Sequence, residues 1–177
     1  MTRSPLILIA LALSLALGGC GSRSVGNKID DQFVGPNVSN SISRAHADLS
    51  SPTSHIVVSS YNGIILLAGQ TPRSELKERA EQAARAVQGV RKVHNELQVL
   101  PPTSVLARSN DSLLTTKIKA QMLADNAVPS SRIKVITENG IVYLLGLVTR
   151  MEAASATSVV QSVSGVQKVV KLFEYTN

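Results

Sequence analysis

The feature that most restricts the fold of this 177-residue chain is a pattern that occurs twice. Asn62-Gly63 and Asn139-Gly140 each separate two runs of apolar, β-branched residues, and the two dipeptides lie 77 residues apart. Asn-Gly between such runs is a strong signal for a tight β-hairpin, because both turn residues must adopt positive φ. A Gly-Val pair also recurs, at Gly89 and Gly165. The repeat predicts two copies of one small domain.

The segment after each hairpin predicts an amphipathic helix. Gly69 and Gly146 are expected to end the second strand of each hairpin. Thr71-Pro72 then predicts one helix start, and Thr149–Glu152 predicts the other as a capping box. Apolar residues spaced three and four apart form the expected buried faces, which are Leu76, Ala80, Ala83 and Val87 in the first copy and Ala153, Ala156, Val160 and Val163 in the second.

One more helix precedes each hairpin, and one more strand follows each second helix. The second copy's first helix is expected to begin near Asn110–Ser112, which are good capping residues, and to stop before Pro129. The last strands are expected at Val90–Leu100 and Val166–Tyr175. The order is therefore helix, strand, strand, helix, strand, twice over. The buried face of the first copy's first helix is predicted to be Val38, Ile42, Ala45 and Leu49.

The first 19 residues have the layout of a secretory signal peptide. Arg3 precedes an apolar run that is too short to span a bilayer comfortably, and Gly18-Gly19 come directly before Cys20. Cys20 is the chain's single cysteine, so it has no partner for an internal disulfide. This pattern predicts cleavage before Cys20 and lipidation of its thiol. Gly21, in place of the aspartate that favours inner-membrane retention, predicts the outer membrane.

The charge of the mature chain narrows the class of partner. Removing residues 1–19 removes Arg3 and no acid, which leaves 17 basic and 12 acidic residues. A net positive protein is attracted to nucleic acid or to anionic surfaces, although such a charge also serves solubility. Export argues against nucleic acid, and an aromatic content of 3% leaves little for stacking on bases. An anionic membrane or glycan remains as the charged partner.

These elements resemble the BON domain, named for bacterial osmotically induced and nodulation proteins. The resemblance covers essentially the whole mature chain, and two such domains behind a lipidated cysteine are similar to the dual BON-domain lipoproteins of Gram-negative outer membranes. It is most specific in the second copy, in Ser109–Asp111, Thr115–Lys117, Thr137–Gly140, Gly146–Thr149 and Val163–Val166.

The resemblance implies an α+β fold (an α/β sandwich) in which a three-stranded mixed sheet in each domain is covered by two helices. The expected organisation is a signal peptide at 1–19, a lipid-anchored tether at 20–31, domains at 32–100 and 109–177, and a linker at 101–108. It further implies a non-enzymatic protein of the periplasmic face of the outer membrane. Such a protein binds anionic phospholipid, for example phosphatidylglycerol or cardiolipin, through the first helix of its second domain, gathers at division sites and supports envelope integrity.

Helical periodicity in residues 113–124 is compatible with that role. Leu114, Ile118 and Met122 share one arc and are expected to face the sheet. The predicted phospholipid-binding residues are those on or beside a different arc: Leu113, Thr116, Lys117, Lys119, Ala120 and Leu123. Exposed leucines beside lysines suit a lipid headgroup layer. The alternative is that the other domain or the joint covers the two leucines. The family tends to have an aromatic residue at the position of Leu113, which implies weaker lipid affinity here.

The sequence offers little for catalysis. His46, His55 and His94 lack the spacing of a metal site, and no serine lies in a Gly-x-Ser-x-Gly motif. We therefore predict no catalytic residues, no metal and no cofactor. The main alternative function is a protein-interaction adaptor for envelope proteins or peptidoglycan machinery, in which lipid contact is incidental.

Overall fold

The computed structural model describes residues 25–176, with side chains from Phe33 onward. The predicted signal peptide, Cys20 and the start of the predicted tether therefore lie outside the described residues. The helices and strands of the first domain are, in chain order, α1 (Val25–Ala45), β1 (His55–Tyr61), β2 (Ile64–Thr71), α2 (Ser74–Arg85), β3 (Lys92–Asn95) and β4 (Gln98–Val99). Those of the second domain are α3 (Val105–Ala124), β5 (Ile133–Glu138), β6 (Ile141–Val148), α4 (Arg150–Ser162) and β7 (Lys168–Tyr175).

Each domain contains a mixed sheet built around the second hairpin strand. β1 pairs antiparallel with β2, and β2 pairs in parallel with β3 and β4. The second domain repeats this arrangement, with β5 antiparallel to β6 and β6 parallel to β7. The parallel pairing follows from the helix between the last two strands, because parallel strands need a crossover connection. The α+β fold and the mixed sheet in each domain are confirmed. The second domain has the expected three strands, whereas the sheet of the first domain has four, because its last strand is divided into β3 and β4.

Two helices cover one face of each sheet and enclose its core. In the second domain, α3 and α4 bury the predicted face residues together with the inward side of β5 and β6. In the first domain, Val38, Ile42 and Leu49 are buried as predicted, and Val34 joins them. Ala45, the last residue of α1, is exposed, so the prediction that it is buried is wrong.

The opposite faces of the two sheets pack on each other and form the interface between the domains. The buried residues of this interface are Tyr61, Ile64, Leu66 and Ala68 from the first domain and Tyr143, Leu145 and Leu172 from the second. Alternate residues of a strand point to opposite faces, so β2 and β6 each supply a helix-side core and the interface core. This explains why nearly all of β2 and β6 is buried. Burial also raises the pKa of the Tyr143 phenol to about 12, with Glu96 and Glu138 adding to the effect.

Polar groups join the domains at the rim of this apolar interface. The Tyr61 hydroxyl donates to the carbonyl oxygen of Arg132 at 2.7 Å and accepts from the amide of Leu147 at 3.0 Å. The side-chain amide of Gln70 donates from Nε2 to Glu138 Oε1 at 3.0 Å, and both side chains are buried. The two domains are therefore held by specific hydrogen bonds as well as by apolar burial.

Two predicted helix starts are wrong. α3 begins at Val105, where Ser104 Oγ accepts from the amide of Ala107, so the segment predicted as a linker ends in helix. Asn110–Ser112 lie inside α3. In the first domain, Thr71 is buried as the last residue of β2, and α2 begins at Ser74. Asn, Asp, Ser and Thr favour helix caps, but their side chains also hydrogen-bond to the backbone elsewhere. Their presence alone therefore misplaces the helix start.

The predicted strand boundaries also need correction. Gly69 and Gly146 lie within β2 and β6, paired with Ile56 and Ile133. A Cβ on Gly69 would lie 2.0 Å from the carbonyl oxygen of His55, so glycine is required there by close backbone approach. The last strand of the first domain, expected to be continuous, is divided into β3 and β4.

Candidate membrane-facing site

α3 is a 20-residue helix, about 30 Å long at 1.5 Å per residue. One side packs on the sheet of the second domain through Leu114, Ile118 and Met122, all of which are buried as predicted. Since this stripe fixes the rotation of the helix, it also fixes which residues face solvent.

The solvent side of α3 carries the residues that the sequence indicated. Leu113 is 60% exposed and Leu123 is 76% exposed, and Thr116, Lys117, Lys119 and Ala120 are exposed as well. The alternative in which the other domain or the joint covers the two leucines is therefore wrong. A contiguous group of large exposed apolar side chains on one side of a helix, rather than a single one, is typical of a binding surface.

Two residues of this surface are absent from the set predicted from the sequence. Val105 and Leu106 are 73% and 72% exposed on the first turn of α3, in the segment predicted as a linker. A signal was present, because Leu106, Leu113 and Ala120 are spaced by seven residues and so lie on one side of a helix. We define the α3 surface as Val105, Leu106, Leu113, Thr116, Lys117, Lys119, Ala120 and Leu123.

A cavity of about 350 Å³ opens beside this surface, between α3, the β5–β6 turn and the segment that follows α4. Leu113 and Lys117 line it from α3. Its remaining lining is mainly polar: Asn110, Asp111, Asn139, Ser164 and Gln167 contribute together with Ala107, Leu114, Gly140 and Gly165. An apolar side chain and an ammonium group thus flank a polar recess.

Asp111 holds the floor of this cavity in place. Its two carboxylate oxygens accept hydrogen bonds from the backbone amides of Asn139, at 2.8 Å, and Gly140, at 2.9 Å. These two residues adopt the positive φ values, 52° and 71°, that the hairpin turn requires. Both oxygens of the buried carboxylate therefore have backbone partners, and the carboxylate fixes the turn against α3.

Among residues 25–176, no group of three or more His, Cys, Asp or Glu side chains is arranged to hold a metal ion. None of the helices in that part of the chain combines the length and apolar character needed to cross a bilayer. The predicted lipidation residue, Cys20, precedes this range.

Comparison with protein families decides the class to which this arrangement belongs. The BON domain model matches residues 38–101 and again residues 110–177. The chain belongs to the BON domain family. The two matches correspond to the two structural repeats, each of which contributes a complete BON domain sheet and its helices.

Three relatives align with most of this chain. The chain is 38% identical over 193 residues to the outer membrane lipoprotein DolP of Haemophilus influenzae, with 99% of each chain covered. It is 37% identical to a 21 kDa hemolysin of Actinobacillus pleuropneumoniae, over 86% of this chain and 78% of that protein. Osmotically-inducible protein Y of Escherichia coli is 32% identical, with 82% and 72% covered. The chain is thus a dual BON-domain protein of the DolP/YraP type.

Proposed function

We propose that this protein is an outer-membrane lipoprotein, anchored on the periplasmic face by acyl groups on Cys20. In this proposal its α3 surface binds anionic phospholipid such as phosphatidylglycerol or cardiolipin. The protein thereby supports outer-membrane integrity at division sites, without enzymatic activity. The observation that carries the proposal is the exposure of the α3 surface, which combines apolar side chains with two lysines on one side of a helix.

The proposed outer-membrane location is supported by the amino-acid sequence, because Cys20 lies outside the residues that the structure describes. A relative with 38% identity over nearly the whole chain is named an outer membrane lipoprotein. In this chain, the first 21 residues have the pattern of a lipoprotein signal: an apolar run, two glycines and then Cys20 followed by Gly21. Acyl chains on Cys20 would hold the protein at the membrane, because two or more chains bind a bilayer almost permanently.

The energetics of the α3 surface suit a weak and selective contact. Burying a leucine side chain contributes roughly 1.5–3 kcal/mol, and each lysine near an anionic surface contributes about 1 kcal/mol. Leu113 and Leu123 with Lys117 and Lys119 therefore give an affinity that prefers anionic over zwitterionic lipid. The cavity next to Leu113 and Lys117 offers room and polar partners for part of a headgroup.

The acyl anchor changes what this contact does. Retention does not require α3, since the acyl chains already supply it. A tethered weak site acts at high effective concentration, so modest affinity is enough to bias the protein toward regions rich in anionic lipid. We infer that α3 selects the lipid environment, while Cys20 selects the membrane.

Vesicle binding of the mature chain with Cys20→Ser tests the α3 surface without the anchor. We expect binding to phosphatidylglycerol vesicles that exceeds binding to phosphatidylcholine vesicles, and a loss on the order of tenfold with Leu113→Glu. Met151→Glu is the matched control, since Met151 is 80% exposed on α4 and lies outside the α3 surface. Equal binding of both lipids, or an equal loss with both variants, would refute the proposal.

The adaptor alternative is separated by the same substitution in cells. If lipid contact positions the protein, Leu113→Glu disperses it while its protein partners are retained. If the α3 surface is instead a protein-binding surface, Leu113→Glu releases partners. Fluorescence localisation and affinity purification from the same strain distinguish the two outcomes.

A further inference from the structure

β7 is a long edge strand with an open side. It pairs with β6 over all eight of its residues and is the last strand of its sheet. The amide of Thr176 donates to the carbonyl oxygen of Val148. Since alternate residues of a strand direct their amides to opposite sides, the amides of Lys171 and Phe173 point away from β6. In the described part of the chain, no strand pairs with that outer side.

The corresponding edge of the first domain is different. There the strand is divided into β3, with four residues, and β4, with two. Leu97, between them, turns into the core and is only 1% exposed. The first domain therefore lacks a continuous edge of this length, although the two domains share one fold.

A groove lies between α4 and the outer side of β7. It encloses about 420 Å³, and its α4 side consists largely of the small residues Ala153, Ala154, Thr157 and Ser158. Arg150, Gln161, Lys171 and Tyr175 complete the lining, so it contains two cations and no carboxylate. The Arg150 guanidinium lies 5.0 Å from the centroid of the Tyr175 ring, which holds one cation beside the edge of the strand.

We propose that the β7 edge and this groove bind an extended peptide segment that carries acidic side chains. The segment adds as a strand to β7, where its backbone pairs with the outward amides and carbonyls. Its alternate side chains then lie over the groove, where small residues leave space and Arg150 and Lys171 meet the carboxylates. A flat bilayer does not satisfy the backbone groups of a strand edge, whereas another strand does.

This surface is separate from the α3 surface, so either proposal can fail without the other. The α3 surface contacts lipid through helix side chains. The β7 edge contacts protein through backbone groups, and none of the residues that line its groove belongs to the α3 surface. A protein with both sites could hold an envelope protein partner at a chosen lipid region.

Selection from a displayed library of random octapeptides, with the mature Cys20→Ser chain as bait, tests this inference. We expect enriched peptides with Asp or Glu at alternate positions. Reversing the groove charge with Arg150→Glu and Lys171→Glu should weaken an enriched peptide by at least about tenfold. Arg79→Glu is the matched control, because Arg79 is exposed on α2 in the other domain, and it should leave affinity within about twofold. Equal urea midpoints of the variants exclude unfolding as the cause.

Amide hydrogen exchange supplies the second readout. The added strand should slow exchange at Lys171 and Phe173, whose amides face outward, and leave the already paired Leu172 unchanged. Absence of enrichment over a bait-free selection overturns the inference. So does binding that ignores the charge reversal, or slowed exchange that lies elsewhere. NMR chemical-shift changes of the groove residues on addition of anionic micelles or soluble glycans, without any peptide enrichment, would also overturn the inference. The groove would then bind another class of ligand.

Discussion

The first helices of the two domains, α1 and α3, have buried residues at equivalent positions but expose different residues to solvent. α1 and α3 begin 80 residues apart, and Val34, Val38 and Ile42 occupy the places of Leu114, Ile118 and Met122. The first residue of each set packs against the glycine that follows its domain's second helix, Gly89 for Val34 and Gly165 for Leu114. The buried stripe is thus retained because both helices cover the same kind of sheet.

The solvent sides show no such agreement. Phe33 of α1 matches Leu113 of α3, and both are well exposed. At the next positions, α1 exposes Pro36, Asn37, Ser39, Asn40 and Ser43, whereas α3 exposes Thr116, Lys117, Lys119, Ala120 and Leu123. Packing constrains only the inner stripe, so the outer side can diverge. The difference supports the proposal that the second domain contacts the membrane.

Substitutions at core and at surface positions of α3 should differ most in their effect on the stability of the protein. Ile118→Ala removes a fully buried side chain and is expected to lower the free energy of unfolding by about 2–5 kcal/mol, as should Ile42→Ala in α1. Leu123→Ala, on the exposed side, should change it by less than about 0.5 kcal/mol. Urea unfolding measures all three, and similar losses for Ile118→Ala and Leu123→Ala would contradict the described orientation of α3.

Asp111 gives the next largest effect. Asp111→Ala leaves the amides of Asn139 and Gly140 without their acceptor, and the Gly140 amide is buried. We expect a loss of about 2–3 kcal/mol and faster amide exchange at both turn residues. Asp111→Asn keeps one acceptor oxygen and should lose less. Unchanged exchange at the turn in Asp111→Ala would show that the carboxylate does not hold it.

The same residue shows where sequence reasoning reaches its limit. The Asn-Gly turns, the order of helices and strands along the chain and the buried stripe of α3 were predictable, because turn chemistry and apolar periodicity are local signals. The role of Asp111 was not, since its partners lie 28 and 29 residues away along the chain. The sequence pattern therefore indicates only a capping residue at Asp111, and it places the start of α3 too late.

The candidate site was predictable in part for a similar reason. Periodicity separated Leu113 and Leu123 from the core stripe, but only the packed structure could decide whether the other domain covers them. The late helix start excluded Val105 and Leu106 from the prediction. Arg73 and Glu75 lie 77 residues before Arg150 and Glu152, at equivalent positions of the repeat. The two arginines nevertheless differ in position, because Arg73 precedes α2 whereas Arg150 is the first residue of α4.

Replacing the two lysines of the α3 surface by the corresponding residues of α1 tests whether their charge contributes to lipid binding. Lys117→Asn and Lys119→Ser introduce the residues found at the matching positions of α1 while keeping both leucines. Each change should cost about 1 kcal/mol of binding to phosphatidylglycerol vesicles, roughly a fivefold loss, and should reduce the dependence of binding on salt. Vesicle cosedimentation at two salt concentrations measures both. An unchanged salt dependence would mean that the lysines do not meet the lipid.

The N-terminus of α4 is capped by side chains and that of α2 is not, so the two should contribute differently to the pH dependence of stability. Glu152 and Thr149 form a capping box at α4, with the Thr149 amide donating to Glu152 Oε2 at 2.8 Å, and Arg132 pairs with the same carboxylate. The hydrogen bond from the Thr149 backbone, with help from the Thr149 side chain and Arg132, holds the pKa of Glu152 below its usual value. α2 has no side-chain cap, since Arg73 stands at its N-cap.

Because the pKa of Glu152 is lowered by folding, its carboxylate stabilises the folded state above the unfolded pKa, near 4.3, and this stabilisation is lost as pH falls through the folded pKa. Glu152→Gln should therefore lower the free energy of unfolding by about 1 kcal/mol at pH 7, and the difference should disappear in acid. Glu75→Gln in α2 is the control and should change stability by less than about 0.5 kcal/mol, since Glu75 forms an exposed ion pair with Arg73. A difference between wild type and Glu152→Gln that persists unchanged below pH 4 would mean that the carboxylate charge does not stabilise the start of α4. The contrast between the two second helices would then lie in Thr149 alone.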